Sequence, residues 1–143
     1  METHMIFETH AHYDDDAFNE DRELLLDSMN ENGIGYIVNA CASLESLKET
    51  EELTEKYPFV YGAFGIHPDD AEKMTEDTLQ EIRRLVRLPK AVAIGEIGLD
   101  YYWHKEEQEH AVQKKMFLAQ MEIAREAQMP FMIHSREAAK DTL

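Results

Sequence analysis

Four side chains of the kinds that bind metal ions follow predicted strands at separate places in the sequence. His10 and His12 end the first predicted strand, Glu96 follows the fourth, and His134 follows the fifth. A lone His-x-His pair is a weak motif, but ligands delivered from three strand ends together predict a metal site. Imidazole and carboxylate ligands suit Zn, Mn, Fe or Ni, and such sites activate water for hydrolysis.

Glu96 is the residue around which the predicted site is organised. The apolar residues 91–94 and Gly95 precede it, a run typical of a strand that is buried on both faces. A carboxylate at the carboxyl end of such a strand needs a positive partner, and a metal ion is the simplest one. Glu96 could bridge two ions about 3.5–4 Å apart and so position a metal-activated water as the nucleophile. The alternative is a glutamate that is exposed where the strand leaves the sheet.

His67 and Arg136 lie near the same predicted strand ends and could contact a substrate. His67 follows the third strand and precedes Pro68, so it could be a metal ligand, a proton donor or a loop residue; we favour a supporting or substrate-binding role. Arg136 lies two residues after His134, where a helix is predicted to begin, and could bind a phosphate together with free helix N–H groups. Its alternative is a surface ion pair with Glu137.

Asp100 and Tyr101 follow Glu96 closely enough to reach the same site. Both could contact a substrate, although an aspartate in a loop often binds only backbone N–H groups. Tyr102 and Trp103 are expected to pack against neighbouring residues or to form a lid. His104 and His110 are expected to face solvent.

Strands and helices alternate along the whole sequence. Strands are predicted over residues 5–10, 36–41 and 59–65, in the apolar part of 91–101, and over 131–134. Helices are predicted over 17–32 and 44–56, from Thr75 to before Pro89, over 106–127 and from 136 onward. Ser43 and Thr75 are the expected N-caps, and Gly33 is the expected C-cap glycine. Such alternation with short loops is typical of repeated βαβ units with right-handed crossovers.

Two α/β architectures accommodate five such units: a doubly wound open sheet and part of an eight-stranded (β/α) barrel. In both, the carboxyl ends of the strands carry the functional site. No glycine-rich phosphate loop follows the first strand, which argues against a nucleotide-binding open sheet. A complete barrel normally needs ~250 residues. This sequence has 143, enough for a single domain over residues 1–143.

The composition limits the classes of partner and the compartment. Acidic residues outnumber basic ones 30 to 14, which gives a net charge of −16. This charge repels polyanions. The binding of a nucleic acid would therefore need bound cations and a few local Arg or Lys side chains. Cys41 is the only cysteine, and we expect a buried small hydrophobic residue in a reducing cytoplasm. Neither a membrane helix nor a signal peptide is predicted, and residues 1–4, with His4, are expected to fray.

The sequence resembles the TatD family of metal-dependent deoxyribonucleases, within the amidohydrolase-type barrels, from Met5 onward. The resemblance rests on four motifs in matching order and spacing: Thr-His-Ala-His at 9–12, Gly-Ile-His-Pro at 65–68, Gly-Glu-Ile-Gly-Leu-Asp-Tyr at 95–101 and Ile-His-Ser-Arg at 133–136. It implies a (β/α)8 TIM barrel of which this sequence contains about five βα units, and hence a single incomplete hydrolase domain.

The resemblance also implies an activity and roles for the site residues. His10 and His12 would bind one divalent ion, Glu96 would bridge two, and His134 would bind the second, with Mg, Mn or Zn as the metal. The substrate would be DNA, cleaved at phosphodiester bonds from its 3′ end. Relatives commonly carry a second histidine where this sequence has aspartates at 69–70. The family barrel also continues for roughly another hundred residues, which hold a further histidine and aspartate, so the fragment is expected to be impaired.

Two other functions fit the same residues. One is a metallohydrolase of small amides or esters. The other is a catalytically inactive fragment that binds metal or oligomerises. An open barrel exposes a strand edge and apolar surface, which could pair with a second copy and form a homodimer.

Packing gives two further expectations. The long helix over 106–127 is expected to bury Val112, Met116, Phe117, Met121 and Ala124. Some apolar strand residues should lose packing partners if the barrel stays open, and the candidates are Ile6, Val38, Phe64, Val92, Ile94 and Ile133. Each exposed side chain of this size costs ~1.5–3 kcal/mol, so the chain alone is expected to be unstable or dimeric.

Overall fold

Five parallel strands in sequential order form the sheet of this protein. The computed structural model describes residues 5–143, so the expectation of a fraying segment with His4 lies outside the described residues. The strands are β1 (Ile6–Ala11), β2 (Ile34–Ala40), β3 (Val60–Ala63), β4 (Ala91–Asp100) and β5 (Phe131–Arg136). They pair in the order β1-β2-β3-β4-β5, each parallel to the next. A doubly wound sheet reverses its strand order, whereas a (β/α) barrel does not; the order therefore confirms the barrel type, with five units present.

Helices follow each of the strands. They are α1 (Arg22–Ser28), α2 (Leu44–Lys56), α3 (Glu76–Leu85), α4 (Glu107–Ala127) and α5 (Ala139–Thr142), with 3₁₀ turns at Asp16–Phe18 and Pro68–Lys73. The predicted N-caps are confirmed, because Ser43 and Thr75 each accept a hydrogen bond from a backbone N–H of the first turn in a reciprocal capping box. None of these helices is both long and apolar enough to cross a lipid bilayer.

The prediction of a helix over residues 17–32 was wrong, because α1 is much shorter. The Asp15 side chain caps the short 3₁₀ turn by accepting from the Ala17 N–H. The Arg22 guanidinium donates to the carbonyl oxygens of Tyr13 and Asp14 and holds the preceding segment as a folded loop. Gly33 is not the predicted C-cap, because α1 ends at Ser28 with Met29 as its C-cap; Gly33, with a φ of +83°, lies in the turn that leads to β2.

The main core lies between β4 and the helices that cover it. Its largest fully buried members include Phe64, Ile82, Ile94, Ile97, Leu99 and Ile123. Cys41 belongs to the same core, and burial raises the pKa of its thiol to about 12, which confirms it as a buried structural residue.

Helix α4 is fixed to the sheet by two buried glutamines that its apolar pattern did not predict. Gln113 accepts from the Asp100 N–H at 2.9 Å and donates to the Asp100 carbonyl, and Gln120 makes the same pair of bonds with Ile66. Five residues of this helix were predicted to be buried. Phe117 and Ala124 are buried, whereas Val112, Met116 and Met121 are half-buried. The two glutamines are buried on this face because backbone groups at the ends of interior strands need hydrogen-bond partners.

The outer strands expose apolar side chains. Among the described residues β1 pairs only with β2, and β5 pairs only with β4. Ile6 is 55% exposed and Ile133 45% exposed, whereas Val38 and Phe64 of the inner part of the sheet are buried. The predicted loss of packing partners is therefore confined to the edges of the sheet and to the half-exposed Val92.

Candidate metal centre

Glu96 lies inside β4 and not at its carboxyl end, which corrects the predicted end of that strand. The strand continues to Asp100, and its pairing with β5 is irregular between Ile94 and Ile97. Within this irregularity the Glu96 N–H donates to the Cys41 carbonyl at 2.7 Å. Strand irregularities change the direction of a side chain, and the Glu96 carboxylate lies among three histidines.

The first candidate metal group consists of His10, His12 and Glu96. The Nε2 atom of His10 lies 3.2 Å from Glu96 Oε2 and 3.2 Å from His12 Nε2, and His12 Nε2 lies 3.6 Å from the same carboxylate oxygen. The two histidine rings thus lie side by side next to one carboxylate oxygen. Three atoms bound to one divalent ion at about 2.0–2.2 Å lie roughly 3.0–3.6 Å from each other, so the spacing of this group fits such an ion.

A backbone carbonyl fixes the orientation of His12. The Nδ1 atom of His12 lies 2.7 Å from the carbonyl oxygen of Ala40, the last residue of β2. A carbonyl only accepts hydrogen bonds, so Nδ1 carries the proton and the lone pair of His12 lies on Nε2, toward His10 and Glu96. This arrangement is typical of histidines that bind metal ions.

The second candidate metal group consists of His67, Glu96 and His134. The Nδ1 atom of His134 lies 3.3 Å from Glu96 Oε1, and its Nε2 atom lies 3.0 Å from Asp100 Oδ2. Because the N–H on Nε2 is donated to Asp100, a neutral His134 directs a lone pair at the Glu96 carboxylate. These atoms repel each other unless a proton or a metal ion lies between them.

Asp100 supports His134 and is too buried to contact a substrate, which corrects the prediction from the sequence. Its side chain is almost fully buried, and Oδ1 accepts from the backbone N–H groups of Tyr102 and Trp103 at 2.9 and 3.0 Å. Burial alone would raise the pKa of Asp100, but the bonds from the Trp103 N–H, His134 and the Tyr102 N–H lower it below its usual value. The carboxylate therefore stays ionised and orients the His134 ring.

His67 lies beside His134 in the second group. Their ring centroids are 4.1 Å apart, and His67 Nδ1 accepts from the Asp69 N–H at 3.2 Å. Burial and the neighbouring His134 lower the pKa of His67 below its usual value. The neutral imidazole is the form that binds a metal ion or accepts a proton.

Tyr101 and its neighbouring histidines lie in settings that the sequence did not predict. The Tyr101 hydroxyl donates to Asp141 at 2.8 Å, and its ring stacks on His110 at 3.6 Å. The contacts of Tyr101 therefore lie on α4 and α5, away from both metal groups. They do not support the predicted role of Tyr101 in substrate binding. His104, predicted to face solvent, is instead held between Asp69 and Glu109.

Arg136 is the last residue of β5. The sequence had predicted that it begins a helix, and this prediction was wrong. The Arg136 carbonyl accepts from the Tyr101 N–H at 2.9 Å, and Arg136 pairs with Asp100 in the ladder between β4 and β5. Because this ladder extends β5 beyond His134, α5 starts only at Ala139. The first turn of α5 therefore follows Arg136 by three residues and does not include it.

Both metal groups open into a cavity of about 730 Å³. Its wall on the side of the loops after β1, β2 and β3 is acidic, with Asp14, Asp15, Asp16, Glu45, Glu49 and Asp69. Buried Asn39 supports this wall by donating to Asp14 and accepting from the Tyr13 N–H. A polar residue inside a predicted apolar strand was the one sign of this role in the sequence.

Comparison with known proteins gives consistent matches over the chain. The sequence profile of the family described as TatD related DNase matches residues 7–143. The chain is 37% identical over 139 residues to YabD of Bacillus subtilis, named an uncharacterized metal-dependent hydrolase, covering 97% of this chain and 54% of YabD. It is 36% identical over 109 residues to a protein of Citrobacter rodentium named 3′-5′ ssDNA/RNA exonuclease TatD, covering 74% of this chain and 40% of that protein.

Solved structures give the same result for the fold. The crystal structure of YjjV, a TatD homologue from Escherichia coli K12, superimposes with a TM-score of 0.85 at 28% identity and covers 98% of this chain and 54% of that one. The chain therefore spans about half the length of the relatives that it matches.

Proposed function

The chain belongs to the TatD related DNase family of metal-dependent hydrolases, and from this premise we propose that it hydrolyses phosphodiester bonds of single-stranded DNA from the 3′ end. The observation that carries the proposal is that both candidate metal groups share Glu96. The name of the Citrobacter relative supports the substrate and the direction.

We assign the ligands of two divalent ions, Mg, Mn or Zn, from the two groups. Glu96 contributes Oε2 beside His10 and His12 and Oε1 beside His134. His67 adjoins the second position and is proposed to contact the substrate. Divalent ions held in this way polarise a phosphoryl oxygen and lower the pKa of water.

The residues around the candidate metal groups orient the histidine rings, and few of them carry positive charge. The Ala40 carbonyl orients His12, and Asp100 orients His134, so that the lone pairs of both rings face Glu96. Arg136 is proposed to bind a substrate phosphate, because the charged side chains that line the cavity, apart from its histidines, are carboxylates.

A nuclease assay tests this proposal. Single-stranded DNA labelled at its 5′ end is expected to shorten from the 3′ end with Mg²⁺ or Mn²⁺ and to remain intact with chelator, because both the water and the phosphate depend on the ions. We expect a rate far below that of the full-length Citrobacter relative, of which this chain covers 40%. Hydrolysis that persists in chelator would contradict the proposal, and metal binding without any hydrolysis would favour an inactive metal-binding fragment.

A metallohydrolase of small amides or esters is the second candidate function. The acidic wall of the cavity favours it, because carboxylates repel a polyanion and accept a neutral or cationic substrate. Assays of carboxylic esters and amides beside the DNA assay separate the two candidate functions. The Arg136→Ala substitution should slow the hydrolysis of DNA and leave that of esters and amides unchanged, because only DNA carries a phosphate.

We also propose that the chain forms a homodimer through its open sheet edges, in the cytoplasm as its single cysteine suggests. Phe7 on β1 and Phe131 on β5 are 57% and 41% exposed. Light scattering should give twice the monomer mass, and Phe7→Asp should shift it to the monomer because it charges the edge. The control Leu118→Asp, on the exposed face of α4, should remain dimeric. A monomeric wild-type chain would contradict the proposal.

A further inference from the structure

Two exposed aromatic side chains and an arginine lie together just beyond the second metal group. Tyr102 is 37% exposed and Trp103 is 64% exposed, and their rings meet edge to face at 4.6 Å. The Arg136 guanidinium lies 4.0 Å from the centre of the Tyr102 ring and 5.5 Å from that of Trp103. Large exposed aromatic surfaces are costly in water and mark binding sites.

This aromatic cluster is joined to the metal centre through Asp100. One carboxylate oxygen of Asp100 accepts from the backbone N–H groups of Tyr102 and Trp103, and the other orients His134. Arg136 pairs directly with Asp100 in the strand ladder. The cluster therefore has a fixed position relative to the metal groups.

Arg136, like Arg22 and Arg87, makes no ion pair with a carboxylate among the described residues. The net charge of the protein is −16, yet no carboxylate oxygen among residues 5–143 lies within 4.0 Å of the Arg136 guanidinium. The neighbouring Lys105 also lies over the Tyr102 ring, at 5.1 Å, and pairs with Glu137 at 3.5 Å. Positive charge thus lies beside the aromatic rings, whereas the charged lining of the cavity, apart from its histidines, is acidic.

We propose that Trp103, Tyr102 and Arg136 form a stacking platform for an unpaired nucleobase of the substrate strand. The base stacks on the exposed face of Trp103, and Arg136 binds the adjoining phosphate. Stacking tolerates any base, and the cation supplies the local charge that a polyanion needs. The inference rests on the proposed nuclease function and extends it by a binding site that requires single-stranded nucleic acid.

The sequence itself provides the probe, because Trp103 is the only tryptophan. The 143-residue chain with Mg²⁺ is titrated with oligothymidylate of about ten nucleotides, protected by phosphorothioate linkages, while tryptophan fluorescence and anisotropy of a labelled strand are recorded. Oligothymidylate should quench Trp103 on binding. An abasic strand of the same length should bind about 5- to 150-fold more weakly, as expected for one lost stack, and leave the fluorescence unchanged.

Substitutions separate the contributions of the base and the phosphate. Trp103→Ala should weaken oligothymidylate binding to the level of the abasic strand, and Trp103→Phe should retain most of the affinity. Arg136→Ala should weaken the binding of both strands. The matched control is Arg87→Ala, which removes an exposed arginine just before the amino end of β4, opposite the site, and should change neither.

Each outcome has a distinct meaning. Binding of oligothymidylate with unchanged fluorescence and with equal affinity for the abasic strand would overturn the platform and leave the nuclease proposal standing. If neither strand binds the folded chain and no DNA is hydrolysed, both proposals fail.

Discussion

Glu96→Ala is expected to weaken the binding of both divalent ions strongly and at once. The two candidate groups have only this carboxylate in common, one oxygen facing His10 and His12 and the other facing His134. Loss of a supporting residue alone typically weakens metal binding 10- to 100-fold, so loss of the shared ligand should weaken each site by about 100-fold or more. Titration with Mn²⁺ in a calorimeter measures both sites.

The control for this substitution is Glu45→Ala, which removes an exposed carboxylate from the wall of the same cavity. It makes the same change in net charge and should leave both affinities within a factor of about two, because solvent and salt screen an exposed charge that is not a ligand. His12→Ala should weaken only one of the two sites. If Glu96→Ala leaves either site at full affinity, Glu96 does not bridge.

Gly98→Ala is expected to cause the largest loss of stability of any single methyl addition in β4. A Cβ at this position would lie 1.9 Å from the carbonyl oxygen of His134, and Gly98 has a φ of +149°. The strands cannot separate without breaking the ladder in which Gly98 pairs with His134. We expect the free energy of unfolding to fall by about 3 kcal/mol or more, with loss of the second metal site because His134 must move.

Gly33→Ala is the matched control, since Gly33 also has a positive φ but an added Cβ would meet no atom within 4 Å. Its cost should be limited to the backbone conformation, about 1–2 kcal/mol. Urea unfolding of both variants measures the difference. Equal losses would show that the contact with His134 is not the cause.

The strands and most helix ends could be predicted because their causes are local. Apolar runs gave the central parts of the five strands, and Ser43 gave the start of α2 through a capping box formed within one turn. The convergence of the four candidate metal ligands was predictable for a related reason. Parallel strands place their carboxyl ends on one edge, so His10, His12 and His134 had to lie near each other.

The errors concern residues whose positions depend on distant partners. The loop before α1 is held by Arg22, the first residue of α1, and by Asn39 of β2. The burial of Asp100 depends on β5 and α4, and Arg136 continues a strand because it pairs with β4. None of these contacts has a periodic signature in the sequence, although isolated polar residues in apolar elements mark where they occur.

The central claim is that Glu96 joins two metal positions, and anomalous diffraction from crystals soaked in Mn²⁺ tests it most directly. The account predicts two anomalous peaks about 3.5–4 Å apart, one near His10 and His12 and one near His134, with a Glu96 oxygen bound to each. A single peak, or two peaks of which only one contacts the Glu96 carboxylate, would contradict it.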